Sequence, residues 1–121
     1  MRAGAGNGSG ARPRAGETEA VRSGVEILRA LGHPVRFRII ELLMDGELCV
    51  KRLEELLGVS QSSVSQHLSR LRYAGLIESE RRGHLVCYRL ADDRAVDVLH
   101  ATLAKEGARP RRAEEKEGDD G

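Results

Sequence analysis

No run of this 121-residue sequence approaches the roughly eighteen consecutive apolar residues of a membrane-spanning helix, so no membrane partner is expected. The first residues lack the apolar segment of a secretory signal, and their glycines spoil the amphipathic helix of an organelle transit peptide; a cytoplasmic location is expected. Cysteine is nearly absent: Cys49 and Cys87 are too few for a disulfide-built scaffold, and two reduced thiols are the default state. Net charge is missing as well. Of 20 basic and 19 acidic residues, three Arg fall in residues 1–16, and four basic and six acidic residues fall in 106–121, leaving thirteen of each sign between. Overall charge therefore argues for no partner. Nor is there a glycine-rich phosphate loop, or a nucleophile with a base at workable spacing, which argues against an enzyme. Both ends are poor in large apolar residues. The expected organisation is a disordered basic Gly/Ala/Arg tail over 1–16, one folded domain over 17–105 and a disordered charged tail over 106–121.

What the sequence does have is concentrated between Ser60 and Leu76, SQSSVSQHLSRLRYAGL. Val64, Leu68 and Leu71 stand at i, i+4 and i+7, the buried stripe of an amphipathic helix. The opposite face carries Gln61, Ser62, Ser65, Gln66, Ser69 and Arg70, and no carboxylate occurs between Val59 and Ile77. Such a face can approach a polyanion. Gln pairs with adenine through two hydrogen bonds, Ser accepts base or phosphate, and Arg suits guanine or phosphate. Serine is a mediocre helix former, so five serines in this stretch weaken the helix unless they serve a contact. Ser60 is a natural N-cap, and the N–H groups behind it favour a phosphate. The plainer alternative is a solvated polar face.

Around this helix the pattern is that of a small, mainly α domain with a β-hairpin. A first helix is expected from about Thr18 to Leu31, with Val21, Val25, Leu28 and Gly32 on one face and Ile27 and Leu31 beside it. This band is wide enough to meet both its own domain and a second subunit. Pro34 opens a second helix carrying Phe37, Ile40, Leu43 and Met44, which ends at Asp45 and Gly46. Arg36 and Arg38 sit in its first turns, the wrong end for the helix dipole, as solvated side chains or beside a phosphate. Glu47 to Val50 reads as a short extended connection, and Lys51 to Leu57 as a brief helix with Leu53, Leu56 and Leu57 inward. Gly58, Val59 and Ser60 then form the turn of a helix-turn-helix. After Gly75 the period changes to two. Leu76–Arg81 and Leu85–Leu90 are expected strands joined at Arg82, Gly83 and His84, and the basic tip of this wing, Arg81, Arg82 and His84, would reach phosphates or the minor groove. Asp92 caps a last helix, roughly 93–105, with Val96, Leu99 and Leu103 as its stripe. Pairing the first and last helices across a two-fold axis would bury both. The expected architecture is thus a winged helix-turn-helix, α-α-α-α-β-β-α, dimerising through its terminal helices.

The run ELCV at Glu47 to Val50, Ser60-Gln61-Ser62, Ser65, His67-Leu68, Leu71-Arg72, Gly75-Leu76 and Tyr88-Arg89-Leu90 resemble the ArsR/SmtB family of winged-helix repressors over residues 20–104. That resemblance implies a homodimer that binds double-stranded DNA at an inverted-repeat operator and leaves it when an effector arrives. It also implies base contacts from Gln61, Ser62, Ser63, Ser65 and Gln66, a backbone contact from Arg70, and wing contacts from Arg82 and His84. His67, three residues from Val64 and four from Leu71, is expected to pack or cap rather than to bind a ligand. A winged-helix protein-interaction module would need an apolar or acidic outer face at 61–73, and this one is neither.

The resemblance leaves the effector open. The family's arsenic pattern is Cys-x-Cys, but Lys51 follows Cys49 where the second thiolate belongs. Its zinc and cobalt pattern on the last helix keeps Asp92, with Arg94 in place of a His and Lys105 and Ala108 at the later positions. Asp93, Asp97 and His100 share one helical face, either as a shifted metal site or as a solvated face. If the strand before the third helix pairs with the last wing strand, Leu48, Val50, Val86, Tyr88 and Leu90 face the core, and alternation turns Cys49 and Cys87 together on the other side. A reversible disulfide, or a soft metal on two thiolates and a third ligand, would follow from that, giving a thiol-responsive rather than metal-responsive regulator; the alternative is that Cys87 is a small strand residue and Cys49 a family relic, in an effector-independent regulator. The cofactor is left open, a soft or transition metal ion being the candidate, and none is expected to be required for folding.

Overall fold

The computed structural model describes residues 17–104; the expectations placed on 1–16 and on 105–121, Lys105 and Ala108 included, lie outside the described residues. Helix α1 (Glu19–Leu31) begins where Thr18, in extended backbone, accepts the N–H of Val21 on its hydroxyl at 3.1 Å. Helix α2 (Pro34–Leu43) has Pro in its first turn and His33 as its cap, Nδ1 accepting the N–H of Val35 at 3.1 Å. Strand β1 (Leu48–Cys49) leads into α3 (Val50–Leu57) and α4 (Gln61–Tyr73). Strands β2 (Ile77–Arg82) and β3 (Leu85–Leu90) form the wing, and α5 (Arg94–Leu103) closes the described chain.

The α3–α4 turn depends on Gly58, whose φ of 67° closes α3 while its N–H returns to the Glu54 carbonyl. Gly83, at φ 66°, does the same for the two-residue wing loop between Arg82 and Leu85. The main apolar cluster gathers one stripe from each helix: Ile27 and Leu31, Ile40 and Leu43, Leu53, Val64 and Leu68, Val96 and Leu99. Among the described residues no polar or charged residue is buried. Helix α4 packs against α1, α2, α3 and β2, with Val64, Leu68 and Leu71 buried.

The short extended connection at 47–50 does pair with the last wing strand: the sheet runs β1-β3-β2, with Leu48 opposite Tyr88 and Cys49 opposite Cys87. Other details differ from expectation. Strand β2 lies one residue later than 76–81. Leu76 instead joins α4 to the sheet, its N–H bonded to the Leu71 carbonyl at 3.1 Å and its carbonyl to the N–H of Ala91 at 2.8 Å. Leu56 is 39% exposed, since two turns of helix bury only one stripe and Leu53 and Leu57 occupy it. Helix α5 begins at Arg94 with Asp93, not Asp92, as its N-cap and no side-chain cap bond; Asp92, one residue earlier, accepts the Arg94 N–H on Oδ1 at 2.9 Å.

Candidate nucleic-acid interface

Ser60 starts α4 with extended backbone, its hydroxyl accepting the N–H of Ser63 at 3.2 Å and its carbonyl that of Val64 at 2.9 Å. Once the helix is set, Val64, Leu68 and Leu71 are buried, and Gln61, Ser62, Ser65, Gln66 and Ser69 are exposed together on the other side. Ser63 is half-buried beside its cap. The first turn carries no acid. A duplex groove would therefore meet amides and hydroxyls with no opposing carboxylate on the helix.

Arg70 is not on that face as a free cation. Its Nη1 donates to Glu26 Oε2 at 2.8 Å, half-buried, which ties α4 to α1. Arg36 departs from expectation too: Nε donates to the Ala30 carbonyl at 2.6 Å and Nη2 to the Arg29 carbonyl at 3.4 Å. A guanidinium at the C-terminal end of α1 satisfies orphan carbonyls and suits that end of the dipole. Its Nη1 also lies 3.4 Å from Nδ1 of His67, whose ring packs against that of His33 at a tilt of 42° with centroids 4.3 Å apart. Desolvation, then the neighbouring His33 and Arg36, hold His67 below the usual histidine range. His67 thus packs, as expected, in a junction of α1, α2 and α4. Glu26, His33 and Arg36 were not legible as site residues: Glu26 and Arg70 are 44 residues apart, and no local spacing connects them. Arg38 bonds only Glu41, at 2.8 Å.

The wing is similarly tied. Arg82 Nε and Nη2 donate to the two oxygens of Glu47 at 2.7 and 3.1 Å, and Nη2 reaches Glu80 at 3.3 Å. This fork holds the Glu47 carboxyl below its usual range. Arg89 adds contacts to Glu80 at 3.0 Å and Glu78 at 3.4 Å. Arg81, Arg82 and His84 are all exposed at the tip, and of these Arg82 is the one held in ion pairs.

Cys49 and Cys87 stand directly opposite each other and form a disulfide, in place of the two reduced thiols expected by default. Alternation brings them together, and Cys87 is 1% exposed yet outside the main apolar cluster. Asp93, Asp97 and His100 do not assemble: Asp93 and Asp97 are exposed, His100 is half-buried, and among the described residues no group of three His, Cys, Asp or Glu side chains could hold a metal ion. A shared face in sequence does not aim side chains of different length at one point. Asp92 is occupied by Arg94, Nη2 to Oδ2 at 2.8 Å, which neutralises the one acid that the family's metal pattern retains.

The family model described as "Bacterial regulatory protein, arsR family" matches residues 33–79, from the α2 cap into β2. The HTH-type transcriptional repressor SmtB of Mycobacterium tuberculosis is 43% identical over 82 residues, 68% of this chain; the chain spans 61% of that relative's length. The transcriptional repressor BigR from Xylella fastidiosa superposes with a TM-score of 0.69 at 31% identity, covering 75% of this chain and 93% of BigR. A homodimeric winged helix-turn-helix DNA-binding domain from Mycobacterium bovis superposes at 0.64 with 26% identity, covering 78% of this chain and 93% of that domain. With the helix-turn-helix, the wing and these likenesses together, the chain belongs to the ArsR family of winged-helix regulatory proteins.

Proposed function

We propose that this protein is a homodimeric DNA-binding repressor without enzymatic activity. Each α4 lies in the major groove of one half of an inverted-repeat operator, and an effector releases the complex. The observation that carries this reading is the exposed face of Gln61, Ser62, Ser65 and Gln66 on a helix buried along its other side and free of acid. Ser63 at the cap and the exposed Arg81 and His84 at the wing supply contacts to phosphate.

The dimer is supported by α1, where Val21, Val25 and Leu28 are 45%, 40% and 57% exposed in a row at i, i+4 and i+7. Helices α1 and α5 both flank α2, and an open hollow of about 500 Å³ between them is lined by Leu31, Pro34, Phe37 and Leu103. A second copy would cover this face. No helix among the described residues is long and apolar enough to cross a membrane, in keeping with a cytoplasmic site of action.

The test is binding to the DNA upstream of the protein's own coding sequence, against a scrambled duplex. Gln61→Ala and Gln66→Ala should each weaken the specific complex by about tenfold or more while leaving scrambled binding unchanged. Equal losses on both duplexes would remove α4 from base reading.

A further inference from the structure

The wing and the disulfide share one surface. Cys49 precedes α3 directly, so the bond between Cys49 and Cys87 fastens the start of the helix-turn-helix to the central strand of the wing. On the same side of the sheet, Glu80 stands opposite Cys87 and Glu78 opposite Arg89. Glu47, two residues before Cys49, reaches across to take both forks of Arg82. Cys87 is 1% exposed, whereas Cys49 is half-buried. Strand β1 is only two residues long, and without a covalent tie its hold on β3 is a two-residue ladder.

We propose that Cys49 and Cys87 form a thiol–disulfide exchange site that latches the wing: the oxidised pair fixes β1 so that Glu47 holds Arg82 away from DNA, and a low-molecular-weight thiol opens it. This deepens the repressor reading and rests on it. The step is balanced by the external thiol. Its thiolate attacks Sγ of Cys49, the accessible sulfur, and the S–S electron pair leaves on Sγ of Cys87, which takes up a proton. A second thiol displaces the first from Cys49. The products are two protein thiols and one external disulfide; the reverse reaction with a small disulfide re-forms the latch.

With the latch closed, a phosphate near Arg82 must compete with a carboxylate held at 2.7 Å, and that carboxylate repels the phosphate. With it open, β1 can ease and Arg82 can turn to the backbone. One phosphate contact per wing adds about two per dimer.

The experiment uses the full chain on its upstream DNA, followed by fluorescence anisotropy with and without dithiothreitol, while free thiols are titrated in the same samples. Oxidised protein should show no free thiols and reduced protein two. Reduction should tighten binding about tenfold at low salt and steepen the slope of log affinity against log salt by roughly two. Glu47→Ala, which removes the catch but neither cysteine, should bind like reduced protein in both states. Oxidised Cys49→Ser/Cys87→Ser protein should do the same, with circular dichroism confirming its fold. Affinity and slope indifferent to reduction, a change of opposite sign, a full response surviving in Glu47→Ala, or two free thiols after treatment with oxidised glutathione would each overturn the latch. Absence of DNA binding in both redox states would instead overturn the repressor reading beneath it.

Discussion

Folding lowers the proton affinity of His67, chiefly by desolvation and then through His33 and Arg36. The groups around it are His33 and Arg36 from the α2 end, with Arg70 acting on Arg36 and Glu26 of α1 pairing Arg70. A depressed histidine favours the unfolded chain once protons become available: the unfolded state takes up the proton first. Stability should therefore be full above the ordinary value of 6.5, decline as pH falls through it, and level off once folded His67 also titrates. Urea midpoints between about pH 8 and pH 5.5 should show this decline, and His67→Gln should flatten it. Arg70 provides a second check at this scale. Because its guanidinium goes to Glu26, Arg70→Ala should cost less than about 1 kcal/mol of stability and leave the salt slope of DNA binding unchanged. A slope shallower by about two per dimer would return it to the phosphate backbone.

At the level of elements, α4 was legible to the residue, 61–73, because one polar cap and one clean apolar stripe define it. The wing strands were legible from alternation, and the pairing of Cys49 with Cys87 followed from the same alternation once β1 was placed against β3. Helix α1 was harder. Its two neighbouring stripes both satisfy a 3.6-residue period, and only packing selects Ile27 and Leu31 for the interior and leaves Val25 and Leu28 outside. The long-range ion pairs were not legible. Composition marks Arg36, Arg70 and Arg82 as cations for phosphate, but Arg70 is committed to Glu26 and Arg82 to Glu47, 44 and 35 residues away, and Arg36 turns back to the carbonyls of Ala30 and Arg29 at the end of α1. The exposed α1 stripe carries its own prediction: if the chain dimerises through it as proposed, Leu28→Glu should give a monomer in sedimentation equilibrium and reduce affinity for the upstream DNA at least tenfold, while the fold persists because Leu28 is 57% exposed. A dimer unaffected by this change would place the interface elsewhere.

For the molecule as a whole, a chain of net charge +1 carries one acid-free helix face, and its arginines are largely spent on internal ties. Such a protein should bind DNA by reading bases more than by gathering phosphates, with specificity that outlasts moderate salt. The most direct measurement is the affinity of the full chain for its upstream DNA and for a scrambled duplex of equal length, across about 50 to 300 mM salt. The account predicts a ratio of roughly a thousandfold or more between the two duplexes, with scrambled binding lost first as salt rises. Equal affinity for both duplexes at every salt concentration, or no measurable binding to either, would contradict it.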